Sequence, residues 1–303
     1  MEKKPKIIVI CGPTASGKTK LGIELARKID GEIISCDSMQ IYQDMNIGTA
    51  KPTAEEQKMA IHHLIDFVAP SERYSVADFK EDATKTIKDI INRNKIPIVV
   101  GGTGLYINSL IYNIEFKEER TDLEYRKQMD MLSKKELFEK ASKIDEQAVQ
   151  RISANDKKRL IRILEIYHST GRTKTELEAE SRKKIEYDYK IFVLNMEREE
   201  LYERINKRVD IMIQQGLIDE VKKLIKKYDH LPTAMQGLGY KEVVQYLNNE
   251  MTKEEMIEKI KQESRRYAKR QITWFRKYEN AIWLDANNNN NVKFILEEIG
   301  ERK

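Results

Sequence analysis

Residues 12–19 read Gly-Pro-Thr-Ala-Ser-Gly-Lys-Thr and directly follow the apolar run Lys6–Cys11, KIIVIC. This is GxxxxGK[ST], set after a strand-like run and before a helix-like segment at 18–29. Glycines let successive backbone N–H groups wrap a phosphate chain, and a helix N-terminus adds a dipole that favours the anion. In that layout Gly12, Pro13, Thr14, Ala15, Ser16 and Gly17 form the cradle and Lys18 supplies a point charge. Thr19 offers a hydroxyl to Mg²⁺. The site binds a di- or triphosphate, and ATP is one candidate occupant.

The surrounding chain alternates strand-like and helical segments. Residues 32–36 (EIISC), 63–68 and 96–100 (IPIVV) are apolar and bounded by Gly, Pro or Asp, while 75–94 repeats its apolar positions at helical spacing behind a Ser75 N-cap. Further short strands are expected at 191–195 (IFVLN) and 281–285 (AIWLD), and helices at 199–227 and 252–278. From 116 to 190 the strands vanish and charged helices are expected at 121–131, 134–143 and 145–168, with a stop at Thr170-Gly171. The pattern predicts an α/β fold, a P-loop NTPase-like parallel sheet flanked by helices, with an inserted all-helical subdomain. The core is expected from 1–115 and 191–303, the insertion at 116–190. The Asn tract at 287–291 reads as a surface loop.

Composition narrows the class. With 303 residues, 40% of them hydrophobic and 35% charged, the chain can bury a sizeable core and is not disordered. No stretch approaches the roughly 18 apolar residues that span a bilayer, and the apolar run after the basic start is too short for a signal peptide. Two cysteines, Cys11 and Cys36, cannot build a disulfide framework. A cytoplasmic protein away from membranes is expected. The net charge of +5 is mild, but Lys and Arg are dense in 157–184 and 261–277.

Which phosphate compound binds is left open by the loop itself. No Asp begins a DxxG, and Asn206-Lys207 lacks an Asp in register, so GTPase signatures are missing. The run 96–100 ends in Gly101-Gly102-Thr103-Gly104 where an ATPase would carry an acid. Asp37-Ser38 follows the second strand, at the sheet edge where the P-loop lies and ligands collect. Asp37 there is a general base, an indirect Mg²⁺ ligand or a helix cap. Thr103 reaches the same edge, or satisfies a turn. Residues 264–276 interleave basic and aromatic side chains, which reads as nucleic-acid contact or as an amphipathic helix with Tyr267, Trp274 and Phe275 in the core. His62-His63 lacks metal-site spacing.

Taken together, GPTASGKT (12–19), DSMQIYQDMNIGTAKPT (37–53), HHLID (62–66), GGTGLYI (101–107), NDKKRLIRILEIYHSTGRT (155–173), ERINKRVDIMIQQGLIDEV (203–221), GLGYKE (237–242) and AKRQITWFR (268–276) resemble the successive signatures of the tRNA dimethylallyltransferases. The resemblance runs to about residue 285 and is closest to the compact bacterial form, without a Cys/His-rich extension. It implies a P-loop core that binds dimethylallyl diphosphate with Mg²⁺ and a helical insertion that grips the anticodon stem-loop. The dimethylallyl group would pass to N6 of the adenosine 3′ of the anticodon, position 37 of the tRNA. Carried over by motif, Asp37 would be the base, Thr103 would assist at the reacting centre, and Arg208 would join Lys18 on the diphosphate. RNA-facing positions would be Asp37, Ser38, Met39, Gln40 and Thr103, then Arg126, Lys158, Arg159, Leu160, Ile161 and Arg162. Gln236, Gly237, Leu238, Gly239, Tyr240 and Lys241 would join them, with Lys269, Arg270, Gln271, Ile272, Thr273, Trp274, Phe275 and Arg276. A monomer is expected. The rival readings are a P-loop nucleoside or small-molecule kinase with 116–190 as a lid, a non-catalytic RNA-binding protein, and a transferase acting on free AMP.

Overall fold

A computed structural model describes residues 4–114, 122–183 and 185–300. The chain divides into two compact units, Met1–Ile107 with Glu186–Lys303, and Asn108–Ile185. The expected boundary at 115/116 lies outside the described residues. On the other side the change comes at 185/186, because Asp188–Lys190 already pair with Lys6–Ile8 in the sheet.

In chain order the elements of the first unit begin with β1 (Lys6–Cys11), α1 (Lys18–Ile29), β2 (Gly31–Cys36), α2 (Ala54–Met59), β3 (His62–His63), α3 (Val76–Asn92) and β4 (Ile96–Gly101). Then come α4 (Gly104–Ile111), α5 (Leu123–Met131), α6 (Lys134–Ile144), α7 (Glu146–Gln150), α8 (Lys157–Thr170) and α9 (Lys174–Lys183). The chain returns through β5 (Asp188–Asn195), α10 (Arg198–Gln214), α11 (Leu217–Lys227), α12 (Tyr240–Leu247), α13 (Lys253–Phe275), β6 (Ile282–Asp285) and α14 (Asn291–Glu298).

The six strands form one sheet of order β3-β2-β4-β1-β5-β6, every pair parallel. Ile7, Ile8, Val9, Ile10 and Cys11 are all buried, as a central strand covered on both faces must be. All carboxyl ends therefore point to one edge. α1 buries Leu21, Ile23, Leu25 and Ala26 against the sheet and so fixes the P-loop at that edge. The opposite edge is held by Glu32, a buried carboxylate paired with Arg93, His63 and Lys95; its arginine contact, together with those of His63 and Lys95, lowers its pKa to about 2.

Three local expectations give way. The strand expected at 63–68 shrinks to His62–His63, because Leu64 and Asp66 adopt positive φ of 56° and 59°. The helix expected at 145–168 is two, each with its own aspartate cap: Asp145 accepts from Ala148 N–H and Asp156 from Arg159 N–H. Asn291 is no loop residue, since it opens α14, is buried, and donates from Nδ2 to the Asp285 carbonyl at 2.7 Å. Cys11 and Cys36 lie on strands separated by β4, with Gly101 the register partner of both.

The second unit packs Leu137, Ala141, Ala148, Val149, Leu160, Ile161, Ile163 and Leu164 into its own core. Ser133 caps α6 through a reciprocal bond with Glu136, and Gly171 ends α8 at φ 67°. No described helix is long and apolar enough to cross a membrane.

Candidate active site

The loops after β1, β2 and β4 bring the P-loop, Asp37 and Thr103 to the same sheet edge. At Gly12, φ is 149° and a Cβ would lie 2.5 Å from the Leu194 carbonyl oxygen, so only glycine fits where the loop leaves β1. The Ser16 hydroxyl and Lys18 Nζ both donate to the Pro13 carbonyl, at 2.8 and 2.7 Å. Burial lowers the Lys18 pKa to about 8, Arg208 nearby pushes the same way, and Asp37 opposes both. Arg208, from α10, donates to the Thr14 hydroxyl at 3.3 Å, and burial lowers its pKa too. Two desolvated cations beside a ring of backbone N–H groups form a site that calls for an anion.

Asp37 Oδ1 accepts from the N–H groups of Met39 at 2.9 Å and Gln40 at 3.4 Å. It therefore does cap the turn at 37–40, as the plainest reading of the sequence allowed. Among the described residues no donor reaches Oδ2, so one oxygen is left for chemistry. Burial raises the pKa of Asp37, against the pull of those N–H groups and of Lys18. Ser38 N–H donates to the Thr103 hydroxyl at 3.0 Å, and Thr103 donates in turn to the Ser38 hydroxyl at 3.4 Å; the Tyr267 hydroxyl lies close by.

Two cavities open around this point. One of about 1050 Å³ is lined by Thr14, Ala15, Gly17, Lys18 and Thr19 of the P-loop with Asp37, Arg208 and Gln271. The other, of about 330 Å³, is lined by Asp37, Ser38 and Met39, by Gln236, Gly237, Leu238, Gly239, Tyr240 and Lys241, and by Arg270. They share Thr14, Asp37, Thr49, Ala50, Arg208, Met212 and Tyr267. A phosphate compound in the first and a second substrate in the second would meet at Asp37. The Thr19 hydroxyl suits Mg²⁺, a hard cation that takes few protein oxygens and fills its shell with phosphate and water.

Several residues do something other than the sequence suggested. Gln271, expected to face RNA, is buried; its Oε1 accepts from Thr14 N–H at 2.8 Å and its Nε2 donates to the Gly102 carbonyl at 2.9 Å. It ties the P-loop to the loop after β4, and a Cβ on Gly102 would lie 2.3 Å from that Nε2. Leu160, Ile161 and Phe275 are also buried and line neither cavity, so packing against their own cores removes them from any RNA surface. The Tyr240 hydroxyl donates to Glu220 at 2.6 Å, which leaves only its ring to line the second cavity. Gln40 spends its amide on the carbonyls of Thr49 and Ala50, each at 3.2 Å.

Lys158, Arg159, Arg162, Gln236, Lys241, Lys269, Arg270, Thr273 and Arg276 are exposed, and Ile272 and Trp274 are half-buried. Arg126 pairs with the buried Glu165 at 2.8 Å.

Glu220 escaped sequence reading. Its carboxylate accepts from the N–H groups of Asn46, Ile47 and Gly48 at 2.9, 2.8 and 3.1 Å as well as from Tyr240. The visible signal was an acid on the apolar stripe Leu217, Val221, Leu224 of α11. Tyr267 reads from the sequence as core or nucleic-acid contact, not as a residue lining both cavities.

A profile of the family described as IPP transferase matches residues 40–278. The tRNA dimethylallyltransferase of Acetivibrio thermocellus is 51% identical over 285 residues, which cover 92% of this chain and 91% of that protein. That of Halothermothrix orenii is 48% identical over 297 residues, covering 96% and 90%. The crystal structure of a tRNA isopentenylpyrophosphate transferase from Bacillus halodurans superposes with a TM-score of 0.74 at 43% identity, covering 98% of this chain and 96% of that one. A eukaryotic dimethylallyltransferase acting on tRNA, captured in crystallographic snapshots, superposes at 0.83 with 32% identity, covering 99% and 80%.

Proposed function

The chain belongs to the IPP transferase family, and on that premise we propose that it transfers a dimethylallyl group from dimethylallyl diphosphate to a tRNA. The acceptor in this reading is N6 of the adenosine immediately 3′ of the anticodon. The observation that carries the reading is the junction at Asp37, where a P-loop cavity and a second cavity meet over one carboxylate oxygen that no donor among the described residues reaches.

The chemistry fits the groups present. Breaking the allylic C–O bond sends its electron pair to the diphosphate. Lys18, Arg208 and the backbone N–H groups of the loop around Gly17 and Lys18 are preorganised for that growing charge, without reorganisation at the moment of reaction. Mg²⁺, held through Thr19, would supply further charge neutralisation on the diphosphate. An exocyclic amine is a weak nucleophile whose N–H turns acidic as the new bond forms, and Asp37 is placed to take that proton. Extruding the adenine from a single-stranded loop costs less than from a duplex. The exposed cations Lys241 and Arg270 at the second cavity suit an RNA backbone. In this reading the insertion holds the anticodon stem-loop through Lys158, Arg159 and Arg162. The enzyme, in this reading, works as a monomer in the cytoplasm.

The deciding experiment follows radiolabel from dimethylallyl diphosphate into unmodified tRNA with Mg²⁺, beside an ATP-plus-nucleoside control. Label in tRNA that disappears when the adenosine 3′ of the anticodon becomes guanosine is the expected result. Phosphorylated nucleoside with unlabelled tRNA would make the chain a kinase.

A further inference from the structure

The reacting carbon of the allylic diphosphate stays bonded to a diphosphate on the P-loop while an amine that sheds its proton to Asp37 approaches it. It must therefore sit in the stretch common to the two cavities. Of the seven side chains lining that stretch, Thr14, Asp37, Thr49, Ala50, Arg208, Met212 and Tyr267, only Tyr267 is aromatic. We propose that Tyr267 is a catalytic residue whose ring face stabilises the positive charge that develops on the allylic carbons; the proposal rests on the transfer reaction inferred above.

As the C–O bond lengthens, its electron pair goes to the departing diphosphate and positive charge spreads over the two ends of the allyl unit. The amine lone pair then forms the new C–N bond and its proton passes to Asp37. Nothing else is consumed. Lys18 and Arg208 stabilise the diphosphate but repel the allylic cation. An aromatic quadrupole attracts a desolvated cation and offers no lone pair that could trap it. The ring is also fixed in place. The helix turns on either side are pinned by buried Ser264, Ala268 and Gln271, and the Tyr267 hydroxyl lies near Thr103, whose own oxygen accepts from Ser38 N–H at 3.0 Å. The ring's capacity to face a cation is already visible, since the Arg270 guanidinium lies 5.7 Å from its centroid.

The test replaces Tyr267 in the full-length enzyme and reads single-turnover transfer to tRNA. Tyr267→Phe keeps the face and is expected to stay within about fivefold of the wild type, whereas Tyr267→Ala should lose roughly 10- to 100-fold in rate. A series with phenylalanine carrying no, one, two or three ring fluorines at 267 should slow stepwise, at nearly constant shape, with unchanged tRNA affinity and unfolding midpoint. A merely structural ring predicts no such trend. Equal rates across the fluorinated series, or a phenylalanine variant as slow as alanine, would overturn the proposal. A wild-type enzyme that labels no tRNA would instead overturn the reaction on which it rests.

Discussion

The P-loop edge of the core and the first turns of α8 both gather cations, but in opposite ways. Lys18 and Arg208 are desolvated, bonded to Pro13 and Thr14, and shifted down in pKa. Lys158, Arg159 and Arg162 are exposed, and they sit in the opening turns of a helix that has no acid in its first turn. Lys158 and Arg159, in its first turn, oppose the helix dipole. The first arrangement fixes charge where a bond breaks; the second leaves flexible charge where a polyanion can settle. The lesson is that one region should fail in rate and the other in affinity.

The largest effect that would break this division is at Asp37. Asp37→Asn keeps an Oδ1 to accept from Met39 and Gln40, so the turn at 37–40 should persist. Transfer is expected to fall about 10²- to 10⁴-fold, the usual worth of a positioned base, with tRNA affinity within a few-fold. Parallel loss of tRNA binding in a gel-shift or filter assay would remove the general-base role.

Next comes Gln271. In Gln271→Leu the Thr14 N–H and the Gly102 carbonyl lose their partner together, each worth about 1–3 kcal/mol when buried and unpaired. The expected outcome is a rise of about tenfold or more in the KM for dimethylallyl diphosphate and a lower unfolding midpoint. The tRNA Kd should barely change. If the tRNA Kd rises while the KM does not, Gln271 belongs to the RNA surface after all.

The pH profile sharpens the same contrast. In the free enzyme Asp37 must be ionised to accept a proton, and its pKa lies above the ordinary 3.8, so kcat/KM should fall on the acid side as it protonates. Lys18 must be charged to hold the diphosphate. With its pKa lowered to about 8, kcat/KM should fall on the alkaline side by about tenfold per pH unit above that value. Lys18→Arg should push the alkaline limb upward while lowering the maximum, and Asp37→Asn should erase the acid limb. An unchanged alkaline limb in Lys18→Arg would assign it to another group.

How much of this was legible beforehand depends on range. The P-loop, β1 and α1 could be read to the residue because glycine geometry, an apolar run and helical spacing agree locally. The sheet class followed from alternation. What escaped depends on contacts between distant segments. Gln271 meets Thr14 across 257 positions and Glu220 meets Gly48 across 172. A polar residue inside a basic or apolar motif gives no local hint of which carbonyl or N–H it will satisfy. The place of Tyr267 at the cavities escaped for the same reason, since spacing puts it on the inner face of α13 without saying that this face borders a cavity. The single helix expected over 145–168 failed for a simpler cause. Asp156 could be read as an interior residue or as a cap, and the turn at 153–155 makes it a cap.

The smallest expected effect tests the other half of the comparison. If Lys158 and Arg159 make only phosphate contacts, each should contribute one released counterion and little shape. Lys158→Ala and Arg159→Ala should then weaken tRNA binding by a few-fold at low salt, and reduce the slope of log K against log salt by roughly 0.7–0.9 apiece. The two changes should add, since exposed charges in water couple weakly. Single-turnover rates at saturating tRNA should stay at the wild-type value, because nothing at the P-loop edge has moved. Removing cations from the first turn of α8 should also stabilise that helix slightly, raising its midpoint as measured by circular dichroism. A drop in the saturated rate would mean that these side chains help set the acceptor base in place, and the separation of rate from affinity would fail in the insertion, where it looks cleanest.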